Sequence, residues 1–274
     1  MKNSGQRVLF PAESVEWLKV DKNSPIVLGV GRQGIVYKGR LKFKNGRPKQ
    51  VAVKFFDQTT RKQIKNGAYA YTRSEPPYSK MDGQRTRKTL KIIRDLYAAG
   101  VRMPKFGIVS HEGQNVLVSS LFGRGGESKI TELDGWFGDY AKERELTLGL
   151  LSDAAKIFNA GWMPNRLEDV FHVEETPRGK THLIGEVDPV HYKRLEFEKR
   201  RQGDRRILYA TAVREFMHKL ARDRNFYNKA FRTFYIGLDR AKRKPFLEGY
   251  RDWFGQDEEI TVSKVLQQLA ERNL

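Results

Sequence analysis

Three glycines in the pattern Gly29-x-Gly31-x-x-Gly34, followed at once by Ile35 and Val36, constrain this chain more than any other segment. Glycine reaches backbone conformations closed to other residues and carries no Cβ. Three at this spacing let a chain double back and bring bare N–H groups close to an anion. The flanks decide which fold uses them. Residues 26–30, 35–41 and 50–56 are β-branched or aromatic runs, separated by the glycines and by the turn-rich Lys44-Asn45-Gly46-Arg47-Pro48-Lys49. A strand passing through the glycines into a helix would point to a dinucleotide fold. Strand on both sides predicts a hairpin instead. Taken alone, the pattern is that of an ordinary glycine-rich hairpin. The next strand, however, reads Val51-Ala52-Val53-Lys54. A lysine on an apolar strand needs an anionic partner if its ammonium points inward, or else reaches water along its own stem from a sheet edge.

Beyond these strands, residues 84–99 carry Leu90, Ile93, Leu96 and Tyr97 at helical spacing and stop at Gly100. Residues 116–121 read as a short strand, followed by the glycine-rich residues 123–126. From there the chain turns helical, over 136–159 with an apolar face through Leu146, Leu150 and Ala154, and again over 208–220, 225–238, 245–254 and 262–272. Two strand-like stretches interrupt this half, 170–173 and 182–187, around the turn-like Glu175-Thr176-Pro177-Arg178-Gly179-Lys180. No repeat or long linker appears. At 274 residues the chain can bury one large core or two modest lobes. The expectation is an α+β chain in two lobes with a cleft between them. Residues 1–120 form the β-rich lobe with one main helix, and 121–274 form the mostly helical lobe.

The charge narrows the partners. Lys and Arg number 52 against 33 Asp and Glu, a net +19, which favours polyanions: nucleic acid, anionic headgroups or phosphorylated ligands. The cations cluster. One group is Arg85, Arg87, Lys88, Lys91 and Arg94; a second runs from Lys193 to Arg206. A third holds Arg222, Arg224, Lys229, Arg232, Arg240, Lys242, Arg243 and Lys244. They read either as solvated helix faces with acids interspersed or as surfaces for an anionic macromolecule, nucleic acid or a phosphorylated partner. No nucleic-acid motif accompanies them. The 39% hydrophobic and 11% aromatic content argues against disorder. No apolar window approaches a membrane span, and the N-terminal residues lack the apolar core of a secretory leader. The absence of cysteine excludes disulfides, thiolate metal sites and a thiol nucleophile, and fits a cytoplasmic protein. The five histidines, His111, His172, His182, His191 and His218, show no metal-ligand spacing, although His172 and His182 fall on strands that could pair. Trp136, Trp162 and Trp253 read as core.

The glycine pattern with Val51-Ala52-Val53-Lys54 resembles the glycine loop and V-A-I-K strand of the protein-kinase-like superfamily, whose lysine pairs with the α- and β-phosphates of ATP. Leu96-Tyr97-Ala98-Ala99-Gly100-Val101-Arg102-Met103-Pro104 is similar to the segment after the regulatory helix in RIO-type and bacterial small kinases. Residues 116–121 look like the strand leading to the hinge, and 151–173 like the helix and catalytic loop. Residues 205–219 and Phe246-Leu247-Glu248-Gly249-Tyr250-Arg251 are loosely similar to lipopolysaccharide-core kinases. The resemblance implies that Gly29, Gly31, Gly34, Val36 and Lys54 bind the nucleotide. It also implies that Asp188, in Glu186-Val187-Asp188-Pro189, stands for the metal-binding Asp of D-F-G. Asp169 stands where the catalytic loop has its Asn, so Asp169 and Asp188 would hold Mg²⁺, with Lys54 and Asp188 as the catalytic pair. On its residues alone Asp188 also reads as a turn aspartate before proline, and Glu186 is its substitute if the register differs.

Three departures accompany the resemblance. Counting back from Asp169 puts Pro164, or with a deletion Asn165, where the family has its catalytic Asp, and neither accepts a proton as a carboxylate does. The helix over 84–99 is cationic. Its one acid is Asp95, with Glu75 and Asp82 upstream, where kinases place a glutamate for the strand lysine. No A-P-E signal follows Asp188. Two functions follow as expectations: an atypical ATP- and Mg²⁺-dependent phosphotransferase, or a catalytically impaired pseudokinase serving as a binding or scaffold module. A nucleic-acid-binding protein with a mere glycine hairpin is the third.

Overall fold

The computed structural model describes residues 10, 14–20, 26–31, 34–56, 59–63, 69–73, 83–121, 129–132, 144–164, 167, 171–175, 181–186, 192–194, 213, 217 and 223–251. These residues build a mixed α/β chain with an antiparallel sheet and several helices. The chain divides into two compact units, Met1–Arg94 with Pro104–Phe122, and Asp95–Met103 with Gly123–Leu274.

The first unit is organised by β3 (Gly34–Phe43). Its first half pairs with β2 (Val27–Gly31) and its second half with β1 (Val15–Val20), both antiparallel. On its other side come β4 (Lys49–Phe55), β8 (Gln114–Ser120) and β7 (Phe106–His111), in that order. Period-2 alternation sorts the side chains of these strands. Val51, Val53, Leu41, Val116 and Val118 turn to one face, where they are buried with Leu18, Val109 and Phe10. Each fully buried valine or leucine contributes about 1.5–3 kcal/mol. Phe10 closes this face: its N–H donates to the Phe106 carbonyl at 2.6 Å. The β7–β8 hairpin turns through Glu112 and Gly113 at φ +50° and +77°. That pair of left-handed residues makes the two-residue turn whose twist matches the strands. A separate hairpin joins β5 (Thr59–Gln63) to β6 (Tyr69–Arg73).

Helix α1 (Gly83–Ala98) begins in the first unit and ends in the second. It buries Thr89, Ile92, Ile93 and Leu96, a stripe at i, i+3, i+4 and i+7. Leu90 and Tyr97, expected on that stripe from sequence, are only half-buried; the helix is rotated by about one residue, with Ile93 and Leu96 common to both readings. It ends as expected at Gly100, at φ +75°. The Val101 N–H donates to the Leu96 carbonyl at 3.0 Å and the Gly100 N–H to that of Tyr97 at 2.9 Å. This paired bonding, with Val101 and Leu96 both buried, is the glycine-dependent helix stop.

In the second unit, α2 (Arg144–Asn159) covers the described part of the helix expected over 136–159 and buries Leu150, Leu151, Ala154, Ala155 and Phe158. It packs against α3 (Arg224–Gly237), where the Phe158 and Phe234 rings meet edge-on at 5.6 Å. Asp223 caps α3, accepting from the Phe226 N–H at 3.0 Å. Asn159 then bridges to the α3 end, donating to the Gly237 carbonyl and accepting from the Asp239 N–H at 2.7 and 2.9 Å. Helix α4 (Arg240–Arg251) starts a turn before the expected Pro245, which lies inside it. Its first turn is set by the Lys242 N–H on the Asp239 carbonyl at 2.8 Å. Strands β9 (Lys129–Glu132), β11 (Phe171–Glu175) and β12 (Thr181–Glu186) form a three-stranded sheet in the order β12-β11-β9. The expected hairpin around residues 175–180 thus pairs antiparallel. Strands β10 (Trp162–Met163) and β13 (Lys193–Arg194) pair with each other. Of the helix expected over 208–220, Val213 and Met217 are described, helical and buried; the helix expected over 262–272 lies outside the described residues.

Candidate functional site

The glycines form a hairpin, not the entry to a helix. Gly29 pairs with Val36, Val30 with Ile35 and Gly31 with Gly34 across β2 and β3. The closing glycine pair leaves Arg32 and Gln33 as the sequence of the tip, both outside the described residues. This context excludes the strand-to-helix geometry that a dinucleotide fold needs.

Lys54 lies in register with that hairpin. Gly29 partners Val36, Val36 partners Lys54, and Lys54 partners Leu117, so one row crosses β2, β3, β4 and β8. Directly opposed residues of antiparallel strands send side chains to the same face. Val36, Lys54 and Leu117 therefore share the face opposite Val51 and Val53. Leu117 is buried there, while Val36 and Lys54 are half-buried. All five expected nucleotide-binding residues thus lie in one patch of ladder: Gly29, Gly31 and Gly34 in the hairpin, Val36 on the returning strand, and Lys54 beside it.

Two residues missed by sequence reasoning belong to the surroundings of Lys54. Phe56, two positions further on and so on the same face, is buried, and the Lys54 ammonium lies 5.6 Å from its ring centroid. The Arg85 guanidinium, from the first turn of α1, lies 5.1 Å from the same centroid. Strand alternation from Lys54 is the signal that would have found Phe56. Arg85 had none beyond its place at the head of a cationic helix.

Within the first unit α1 supplies no kinase-type carboxylate, because residues 83–94 contain no acid. Asp95 accepts a hydrogen bond from the Trp162 indole N–H at 2.9 Å. Trp162 is accordingly core, as expected, with its polar atom satisfied. Glu75 and Asp82 lie outside the described residues, as do Trp136 and Trp253.

The outward face of α1 is the other feature of the helix. Arg87, Lys88, Lys91 and Arg94 are all exposed. Arg85–Lys88, Arg87–Lys91, Lys88–Lys91 and Lys91–Arg94 stand three or four residues apart, and each like-charge pair at such spacing costs about 0.2–0.5 kcal/mol. The one acid of the helix, Asp95, stands four residues after Lys91. Two cations of the third cluster have structural roles. There Lys242 donates to the Asn159 carbonyl and to Asp239, and Arg243 donates to the Leu238 and Ile236 carbonyls at 3.0 and 2.8 Å. Lys242 thus caps the end of α2, and Arg243 the end of α3.

In the second unit the expected metal residues Asp169 and Asp188 lie outside the described residues. What is described is the hairpin that precedes one and follows the other. Phe171 opposite Glu186 is its last rung, and in sequence Asp169 comes two residues before Phe171 and Asp188 two after Glu186. Pro164, one of the two positions where a catalytic Asp would fall, is buried, and Asn165 is outside the described residues. His172 and His182 do lie on paired strands but are not opposite one another: His172 faces Gly185 and His182 faces Glu174. Among the described residues no group of three His, Cys, Asp or Glu side chains could hold a metal, and no helix is long and apolar enough to cross a membrane.

No family model matches the chain, and no curated protein matches its sequence. Among solved structures it is similar to the Helicobacter pylori proinflammatory kinase CtkA, at 9% identity and a TM-score of 0.41, over 92% of this chain and 91% of that one. At that score the likeness assigns neither fold nor activity to this chain.

Proposed function

We propose that this chain is an atypical kinase-like protein that binds ATP with Mg²⁺ and transfers a phosphoryl group to an acceptor. The observation that carries the reading is the row Gly29–Val36–Lys54. A glycine hairpin supplies backbone donors for phosphates, and the lysine of the neighbouring strand stands in register with the valine that follows the hairpin. Asp169 and Asp188 are the residues for Mg²⁺. Carboxylates are the hard oxygen donors that cation takes, and in sequence the two flank one end of the β11–β12 hairpin. The metal would neutralise charge on the phosphates. The chain's own task is to position them, because phosphoryl transfer depends chiefly on placement and electrostatic stabilisation. Pro164 or Asn165 in place of a catalytic Asp removes a general base, which ordinarily supplies about 10²–10⁴-fold. The expected turnover is therefore slow. The pseudokinase reading shares the same nucleotide site and differs only in turnover.

Titration with a fluorescent ATP analogue in Mg²⁺ tests the binding, and incubation with γ-labelled ATP tests transfer. Lys54→Met is expected to weaken nucleotide binding about tenfold or more, and Asp188→Asn to abolish labelled product. Nucleotide binding without any Asp188-dependent turnover would establish the pseudokinase. Absence of nucleotide binding by the unaltered chain would end both readings.

A further inference from the structure

We infer that the part of the sheet where β1 and β3 carry Trp17, Lys19, Lys38, Arg40 and Lys42 on one face binds single-stranded nucleic acid. Alternation sorts β3 into two sides. Leu41 joins the buried core, while Lys38, Arg40 and Lys42 fall on the opposite face with Val36. The register adds β1 to that face: Trp17 stands opposite Lys42, and Lys19 opposite Arg40. On the β4 side, Ala52 stands opposite Lys38 and Gln50 opposite Arg40. Strands β3 and β4 contain no acid. Glu16, the one acid of β1, pairs with Lys42 at 2.9 Å, so four cations share this face with one carboxylate. Lys19 and Arg40 are both exposed and directly opposed, a like-charge cross-strand pair of the kind that weakens a sheet. An anion lying across the two strands turns that repulsion into binding.

The indole and the breadth of the face choose among anions. Trp17 is half-buried and lies on the cationic side, not in the core, with the Lys19 ammonium 4.9 Å from its ring centroid. Single strands bind to surfaces of this composition: bases stack on an aromatic ring, and the cations around it follow the phosphates. Strands β1, β3 and β4 lie side by side, about 4.8 Å apart. With their side chains they form a face too broad for the major groove of a duplex, which is about 12 Å wide and admits a helix or a two-stranded ribbon. A duplex therefore keeps its bases away from the indole, whereas a single strand lays them on it. Stacking accepts every base, so the binding is indifferent to sequence.

The test compares the full chain with K38T/R40T, with W17L and W17F, and with K229Q/R240Q, a control that loses the same charge from exposed residues elsewhere. Threonine suits a strand, and the substitution relieves the Lys19–Arg40 repulsion, so K38T/R40T is expected to melt no lower than the unaltered chain. Anisotropy titrations use a labelled oligothymidine of about 12 nucleotides, and a duplex of the same length, at several salt concentrations. The single strand is expected to bind more tightly than the duplex. K38T/R40T should bind it about tenfold more weakly, with a log K against log salt slope shallower by about 1.4, from 0.7 per phosphate contact of a single strand. The control should keep most of the affinity. W17L should weaken binding roughly fivefold to a hundredfold with the slope unchanged, and W17F should keep most of it, since a phenyl ring also stacks. The K38T/R40T comparison stands whether or not W17L is stable. Equal losses in K38T/R40T and the control, a duplex bound as tightly as the single strand, or no binding by the unaltered chain would overturn the proposal. So would a K38T/R40T-sensitive affinity for phosphatidylserine vesicles with none for the oligonucleotide.

Discussion

Lys54 and Arg85 share one aromatic ring: the ammonium of the first and the guanidinium of the second lie 5.6 and 5.1 Å from the centroid of Phe56. The two charges are therefore within about 11 Å of each other, a repulsion of at least about 0.4 kcal/mol in water and about 1.5 kcal/mol at an effective dielectric of 20. Each cation gains about 0.5–2 kcal/mol from the ring, so Phe56 offsets the repulsion it brings together. Phe56→Leu keeps the apolar burial but removes the quadrupole, and is expected to cost about 1–2 kcal/mol. The cost should be larger in low salt than in high salt, because screening quiets the pair. Arg85→Gln loses one attraction and relieves the repulsion, so it should cost less than Phe56→Leu. Urea unfolding at two ionic strengths reads both. A Phe56→Leu chain as stable as the unaltered one would mean that the ring does not hold the cations.

The sequence revealed the glycine hairpin, the strands around it and the hairpin over 170–187 because alternation and turn residues are local signals. Strands β1 and β7 escaped notice. Val15–Val20 interleaves Glu16 and Lys19 with its apolar residues, and its place is set by pairing with distant Arg40 and Leu41, which no local pattern encodes. The buried face of α1 was read one residue off. With Ile93 and Leu96 common to both stripes, only tertiary packing chooses Thr89 and Ile92 over Leu90 and Tyr97. The candidate site divides the same way. Lys54 was legible from its strand, whereas Arg85 reaches Phe56 through a helix that starts 27 residues later in the chain, and that meeting exists only in the fold.

Gly237 offers a prediction whose sign the sequence alone would reverse. It is exposed, in the last turn of α3, where exchanging glycine for alanine ordinarily stabilises a helix by about 0.5–1 kcal/mol. A Cβ at this position would instead stand 2.8 Å from the Cβ of Ala155, on the buried side of α2. Both atoms are fixed to helical backbones, so neither can swing away. Gly237→Ala is expected to lower stability by about 1–3 kcal/mol through overpacking. Ala155→Gly in the same chain should restore part of that loss, giving a favourable coupling in a double-mutant cycle. Thermal denaturation of the two single variants and the double variant decides it; a stabilising Gly237→Ala would show that α2 and α3 have room between them.

Asp153 supplies the last. Its carboxylate is 1% exposed, within α2, and accepts from Arg102 Nε and Lys156 Nζ, both at 2.7 Å. Arg102 belongs to the connector after α1, so the pair ties that connector to α2 inside the second unit. Removing one partner of a fully buried ion pair costs about 3–5 kcal/mol because a charge is stranded. Here the cations are 51% and 36% exposed, so they regain water when the carboxylate is lost. Asp153→Asn is accordingly expected to cost about 1–3 kcal/mol, the worth of charge-assisted hydrogen bonds without the stranding penalty. Arg102→Ala acts in the opposite sense, leaving the buried carboxylate with Lys156 as its one remaining cation of the two, and should cost more than Lys156→Ala, since it also frees the connector. Urea midpoints for the three variants give the order. If Lys156→Ala proves the more damaging of the two cation deletions, the carboxylate serves α2 itself rather than the join to the connector.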